Sequence, residues 1–132
     1  MYSAQVLDHF EHPRNVGDIA EADATAEIEN PVCGDVLRLT LRLDGERIAD
    51  IRFKAKGCVP SIACASALTE SVLGKSIETV RRIDRELIVE ALGGLPQAST
   101  HAAQLALDAL SAALRALPNA SSGAAIPSSR TK

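Results

Sequence analysis

The side chains of this chain that bind transition metals are few, and their positions are informative. The 132 residues contain three cysteines and three histidines. Two candidate ligands flank a glycine before a predicted strand, a third follows a glycine after a strand, and a fourth lies in the first turn of a predicted helix. Thiolate sulfur and imidazole nitrogen bind zinc and iron, and a carboxylate oxygen can complete the set. The candidate ligands are Cys33, Asp35, Cys58 and His101.

The spacing of these residues leaves alternatives open. It contains no paired Cys-x-x-Cys and matches no common zinc-finger pattern. Free cysteine is often a small buried hydrophobic residue, and this is our interpretation of Cys64, which lies inside a predicted helix. We interpret His9 and His12 as surface histidines. Cys33 and Cys58 stand at the ends of predicted elements, where binding groups concentrate, and we expect them to be functional.

Alternating hydrophobic residues predict the strands that carry these ligands. The clearest alternation sets four leucines at positions 37 to 43 against polar residues, and Asp44-Gly45 predicts a hairpin turn after it. Flanking alternations at 24–28 and 51–55 complete a three-stranded, largely antiparallel sheet. We predict an α+β fold in which helices cover one face of this sheet. The other face should be wet and cationic, with Arg38, Arg42, Arg52, Lys54 and Lys56.

Helical spacing predicts the covering layer. Helices are expected from Ser3 to Phe10, from Ser61 to Leu73, in two short segments capped by Ser76 and Asp84, and in a long C-terminal helix from about Ser99 to Leu117. Cys58 would then precede a helix by three residues. The positive end of a helix dipole favours the thiolate form of a nearby cysteine, which is the form that binds metal.

Composition limits the classes of function. The length fits one domain, expected at residues 1–118, and residues 119–132 lack the apolar content of a folded segment and should be a disordered tail. A net charge of −3 and 2% aromatic residues argue against a nucleic-acid partner. No apolar run reaches the ~18 residues of a membrane span. An odd cysteine count and no signal-peptide pattern predict a reduced, cytoplasmic protein.

Several ordered motifs resemble the iron–sulfur cluster scaffold family of the IscU and NifU N-terminal type. The resemblance covers residues 2–117. Residues 8–17 (DHFEHPRNVG) are similar to the family's DHYxNPRNVG, and residues 31–35 (PVCGD) to its PxCGD. Residues 52–63 (RFKAKGCVPSIA) resemble RFKxxGCxxxIA, and residues 73–76 (LGKS) contain its GKS helix break.

This resemblance implies a function and assigns the candidate ligands. In such scaffolds a cysteine desulfurase supplies sulfur, iron joins it, and the resulting [2Fe–2S] cluster passes to recipient apo-proteins. The resemblance implies that Cys33, Asp35, Cys58 and His101 hold the cluster or iron, and that the protein is a scaffold and not an enzyme. A carboxylate is a harder and more easily exchanged ligand than a thiolate, which suits a protein that must release its cargo.

The chain also departs from the family pattern. Ala102 stands where the family has its third ligand cysteine, directly after His101. Residues 95–99 (LPQAS) replace the chaperone-recognition segment LPPVK, which argues against recruitment of an Hsp70-type chaperone. Cys64 is an additional thiol where the family has serine. Three other functions therefore stay open: a divergent relative that holds one zinc or iron ion, a zinc-dependent sulfur-transfer protein, and a metal-free interaction module.

Overall fold

The computed structural model describes residues 2–30 and 34–117. Its elements are α1 (Ala4–Glu11), β1 (Ala24–Glu29), β2 (Val36–Asp44), β3 (Arg47–Lys56), α2 (Val59–Val72), α3 (Ile77–Val80), α4 (Arg85–Ala91) and α5 (Thr100–Arg115), with a 3-10 turn at Gln97–Ser99. The strands form one antiparallel sheet in the order β1-β2-β3. The predicted α+β fold, with its three-stranded sheet and long C-terminal helix, is confirmed.

The leucine alternation in β2 builds the centre of the core. Leu37, Leu39 and Leu41 are at most 2% exposed, because their face of the sheet is covered by α2 and α5. α1 packs in turn on α2, and α4 packs on both α2 and α5. Small side chains, mostly alanine, line the buried faces of α2 and α5. They let these helices approach the sheet and each other closely.

The predicted helix caps are confirmed, and one helix begins earlier than expected. The hydroxyl of Ser3, the hydroxyl of Ser76 and the carboxylate of Asp84 each accept a backbone N–H from the first turn of the helix that they precede. α2 begins at Val59, not at Ser61. Pro60 fits in its first turn because the N–H that proline lacks would have no helical partner there.

The expectation of a fully wet and cationic outer sheet face is wrong in part. The segment between α1 and β1 crosses this face, where the Ile19 N–H donates to Thr40 Oγ1 at 3.1 Å and leaves Thr40 1% exposed. Asp18 lies 2.9 Å from Arg38 and 3.5 Å from Lys54. This segment therefore covers Thr40 in the middle of the face and pairs with two of its cations.

The prediction that His9 is a surface histidine is wrong, because its side chain is buried. Its Nδ1 lies 2.7 Å from Ser66 Oγ on α2, and its Nε2 lies 3.6 Å from a Glu70 carboxylate oxygen. The N–H of Arg14 also donates to Ser66 Oγ, at 2.9 Å. Burial lowers the pKa of His9, and the Arg14 charge lowers it further, while Glu70 and Asp8 act in the opposite direction. His12, by contrast, is exposed and ends α1.

The PRNVG segment of the first motif has a structural role. Asn15 adopts a left-handed conformation with φ of 59°, which asparagine tolerates better than most residues. Its backbone carbonyl accepts the Phe53 N–H at 2.9 Å, and the Gly17 N–H donates to the Phe53 carbonyl at 2.9 Å. These bonds hold the segment beside β3 and bring the chain from α1 to the sheet.

Some expectations fall on residues beyond those described. Cys33 lies outside the described residues, as do most of the PVCGD loop and the predicted tail at 119–132. Within residues 2–30 and 34–117, the helices are all too short or too polar to cross a bilayer.

Candidate metal centre

Asp35 enters the site from the loop that leads into β2. The Asn30 N–H donates to the Asp35 carbonyl at 2.8 Å, and the Gly34 N–H donates to the Asn30 carbonyl at 2.7 Å. Gly34 has φ of 77°, a conformation that glycine adopts without strain. These bonds hold Asp35 at the start of the strand, with the residue only 5% exposed. A buried carboxylate needs polar partners nearby.

Cys58 supplies the sulfur, from the residue that joins β3 to α2. It is the N-cap residue of α2, with extended backbone dihedrals. Its side chain is exposed, and its Sγ donates to Asp35 Oδ2 at 3.4 Å. The early start of α2 brings this sulfur to the end of the helix itself, closer than the sequence predicted.

Gly57 explains how the carboxylate and the sulfur come so close. A Cβ at this residue would lie 2.6 Å from both Cγ and Oδ1 of Asp35. Any larger side chain would therefore clash with the Asp35 carboxylate in its present position. The glycine that looked like a simple end-of-strand signal provides the space that the carboxylate occupies.

Ser61 is a polar partner that sequence reasoning missed. Its hydroxyl donates to Asp35 Oδ2 and lies 3.3 Å from Cys58 Sγ. Sequence patterns predict Ser61 only as the first residue of a helix. The available signal was its spacing, three residues after Cys58, which places a hydroxyl in the first turn beside the N-cap side chain.

His101 reaches the site from the first turn of α5. The 3-10 turn at Gln97–Ser99 leads into this helix, and His101 Nδ1 lies 3.1 Å from the Ala98 carbonyl. A carbonyl can only accept, so Nδ1 carries the hydrogen and Nε2 of a neutral ring keeps its lone pair for a metal. A second hydrogen bond that fixes the ring in this way is typical of histidine ligands.

The structure brings three of the four predicted ligands together. One donor atom each from Asp35, Cys58 and His101 lie within 4.8 Å of one another. Asp35 is buried, whereas Cys58 and His101 are exposed, so the group is held on one side and open on the other. Oxygen, sulfur and nitrogen donors at these separations suit zinc or iron. Cys33 precedes Asp35 by two residues in the chain but lies outside the described residues.

Cys64 and Ala102 do not belong to this group of donors. Cys64 is fully buried, and this burial, with a smaller contribution from Cys58, raises the pKa of its thiol to about 12. It is therefore a thiol at neutral pH and packs as a small hydrophobic residue, as predicted. Ala102 is 1% exposed in the core below α5 and has no donor atom.

Comparison with known sequences identifies relatives over most of the chain. The family described as NifU-like N terminal domain matches residues 1–122. The chain is 46% identical over 114 residues to the iron-sulfur cluster assembly scaffold protein IscU 1 of Archaeoglobus fulgidus, covering 86% of this chain and 74% of that protein. It is 42% identical over 117 residues to the scaffold protein IscU of Haemophilus influenzae, covering 86% and 92%.

Comparison with solved structures supports the same fold. A crystal structure of the N-terminal part of a nitrogen-fixing NifU-like protein from Brucella abortus superimposes with a TM-score of 0.71. The match covers 86% of this chain and 92% of that one, at 20% identity. At this identity the likeness concerns the fold alone.

Proposed function

Because this chain belongs to the NifU-like N-terminal domain family, we propose that it is an iron–sulfur cluster assembly scaffold that carries iron or a [2Fe–2S] cluster to recipient apo-proteins. The family inferred from the sequence motifs is thereby confirmed. The observation that carries the function is the convergence of Asp35, Cys58 and His101 within 4.8 Å. Cys33 is proposed as the fourth ligand, because it stands two residues before Asp35.

The candidate ligands differ in how strongly they would bind iron and how easily they would release it. The Cys58 thiolate, at the N-terminus of α2, binds iron strongly because both the metal and the sulfur are soft or borderline. The Asp35 carboxylate is the harder ligand and exchanges more easily, and the hydroxyl of Ser61 can keep it hydrogen-bonded. His101 offers Nε2 from an exposed position at which a recipient protein can approach.

The proposal includes partners and a compartment. Scaffolds of this type act by binding rather than by catalysis, so a cysteine desulfurase must supply the sulfur and recipient apo-proteins must take the cargo. We do not include an Hsp70-type chaperone, because residues 95–99 lack the LPPVK pattern and form the turn that leads to His101. The cytoplasm is the proposed compartment, since Cys58 is an exposed free thiol, which persists best where thiols are kept reduced.

Reconstitution with iron, sulfide and a thiol tests this function. Charge-transfer absorption bands in the visible range and passage of the cluster to an apo-ferredoxin are expected for the wild type. The bands should be lost in Cys58→Ser and kept in Cys64→Ser. A wild type that forms no bands, or a Cys58→Ser variant that forms them unchanged, would contradict the proposal.

A single metal ion is the second candidate, and the spacing of the donors favours it. In a tetrahedral site with bonds of about 2.0–2.3 Å, ligand atoms are about 3.3–3.8 Å apart. Three donors within 4.8 Å of one another need to close only slightly around one ion. The ligands of a two-iron cluster, in contrast, divide into two pairs. Metal analysis of protein purified without added metal separates the candidates: one tightly bound zinc per chain and no visible bands would favour the single-ion form.

A further inference from the structure

Ser61 contacts two candidate ligands at once, although it is itself neither a family ligand nor a typical metal donor. Its hydroxyl donates to Asp35 Oδ2 and lies 3.3 Å from Cys58 Sγ. The residue is 5% exposed, so water competes little for the hydroxyl. A buried hydroxyl with a charged acceptor makes one of the stronger hydrogen bonds in proteins.

The two partners of this hydrogen bond come from different parts of the fold. Ser61 lies in the first turn of α2, and this helix is packed against α1, α5 and β3. Asp35 stands at the end of a loop, just before β2. The hydroxyl is therefore fixed by the helix, and the loop carboxylate is oriented by the hydroxyl.

The Ser61 hydrogen bond also differs from the one that Cys58 makes. Cys58 donates its S–H to Asp35 Oδ2 at 3.4 Å, but a cysteine that binds metal has lost that proton. The Ser61 hydroxyl keeps its proton whether or not Cys58 is a thiolate. It can hold Asp35 in place during the change from free thiol to metal-bound thiolate, when the contact from Cys58 is lost.

From these contacts we infer that Ser61 is a positioning residue of the metal centre, which orients the Asp35 carboxylate for the metal. This inference rests on the proposed function for the identity of the cargo, but its geometry concerns metal binding alone. Partners that orient a ligand from outside the first coordination sphere typically contribute about 10–100-fold to metal affinity. Ser61→Ala should lower metal affinity within this range.

A double-mutant cycle with Co²⁺ tests this role in the full chain. Co²⁺ reports binding through its thiolate charge-transfer and d–d absorption, without iron or sulfide. We expect Ser61→Ala to weaken Co²⁺ binding about 10–100-fold when Asp35 is present and less than about twofold in an Asp35→Ala background. The d–d bands of the Ser61→Ala protein should also shift, because the carboxylate is no longer held in the same orientation.

Ser66→Ala is the matched control. It removes a buried hydroxyl from the same helix, but that hydroxyl contacts His9 and the Arg14 N–H, so Co²⁺ affinity should not change. Unchanged affinity in Ser61→Ala, or an equal loss with and without Asp35, would overturn the inference. Iron–sulfide reconstitution of the wild type is scored separately. A wild type that binds Co²⁺ but builds no cluster would contradict the scaffold function. The double-mutant cycle would still decide whether Ser61 positions Asp35.

Discussion

Two clusters of polar side chains meet α2, one at its first turn and the other about five residues later. The first, with Asp35, Cys58, Ser61 and His101, we call the metal centre. The second we call the α1–α2 junction, and it contains His9, Arg14, Ser66 and Glu70. Both combine carboxylate, hydroxyl and imidazole groups, and the metal centre adds a thiol. Similar groups therefore meet at two places along one helix, and the two clusters differ in their surroundings.

The two clusters differ in how far their imidazole is buried. At the junction, His9 and Ser66 are buried, and their hydrogen bonds join two neighbouring helices. At the metal centre, Asp35 is buried but Cys58 and His101 are exposed. Polar groups that satisfy each other inside the protein stabilise the fold. Those that reach the surface, as Cys58 and His101 do, are accessible to a ligand.

Loss of the sulfur from the metal centre should have the largest effect. Cys58→Ser replaces a thiolate by a hydroxyl, a far poorer ligand for zinc or iron, and should lower metal affinity by more than about 100-fold, beyond the loss of an outer partner. Cys33→Ser should act in the same direction. Cys64→Ser is the control and should keep the affinity in a metal titration. Loss of metal in Cys64→Ser with retention in Cys33→Ser would show that the ligands are assigned wrongly.

Loss of the shared hydroxyl at the junction should lower stability and spare metal binding. Ser66→Ala leaves His9 Nδ1 and the Arg14 N–H without their partner, and an unsatisfied buried group costs about 1–3 kcal/mol. Urea denaturation of the metal-free protein should show this decrease in the free energy of unfolding. A Ser66→Ala variant that is as stable as the wild type, or that loses metal, would contradict the view that the junction stabilises the fold and the metal centre binds metal.

Restoring the missing thiol should lengthen the lifetime of the bound cluster, by a smaller effect than the losses above. Ala102→Cys places a sulfur next to His101, and we expect a several-fold longer cluster half-life after identical reconstitution. The gain is limited because Ala102 is 1% exposed, and added volume in a packed core costs about 1–3 kcal/mol. Ala103→Cys, at the next residue of α5 and equally buried, is the control and should bring no gain. Equal half-lives in all three proteins would mean that the site no longer uses a thiol at position 102.

The smallest expected effect is the contribution of His9, at the junction, to the pH dependence of the free energy of unfolding. Burial lowers the pKa of His9 in the folded state, whereas the unfolded chain titrates near 6.5. The unfolded state therefore binds the proton more readily, and the free energy of unfolding should fall as pH drops below about 6.5 and through the lower folded pKa. Arg14, Glu70 and Asp8 face the ring and remain in the control variant His9→Gln, which should lose part of this slope. Identical slopes in urea titrations would show that His9 does not contribute.

Local sequence patterns were sufficient to predict most of the fold. The leucine alternation in β2 and the caps at Ser3, Ser76 and Asp84 depend on near neighbours in the chain, so they could be read directly. The predicted start of α2 was two residues late, because the helical spacing of apolar residues begins at Ile62 and does not reveal a first turn that contains Pro60. His9 was misread, since its burial depends on Ser66, which lies 57 residues further along the chain.

The sequence by itself determined which groups this protein could offer to a metal, because ligand chemistry resides in residue types and in the motifs around Asp35, Cys58 and His101. Only the tertiary structure decided how those groups meet. The hydroxyl of Ser61 and the space at Gly57 bring the carboxylate to the sulfur across more than 20 residues of chain. The physical reason is that hydrogen bonds and steric clearance act over a few ångströms in space, and spacing along the chain does not specify which distant residues will come that close.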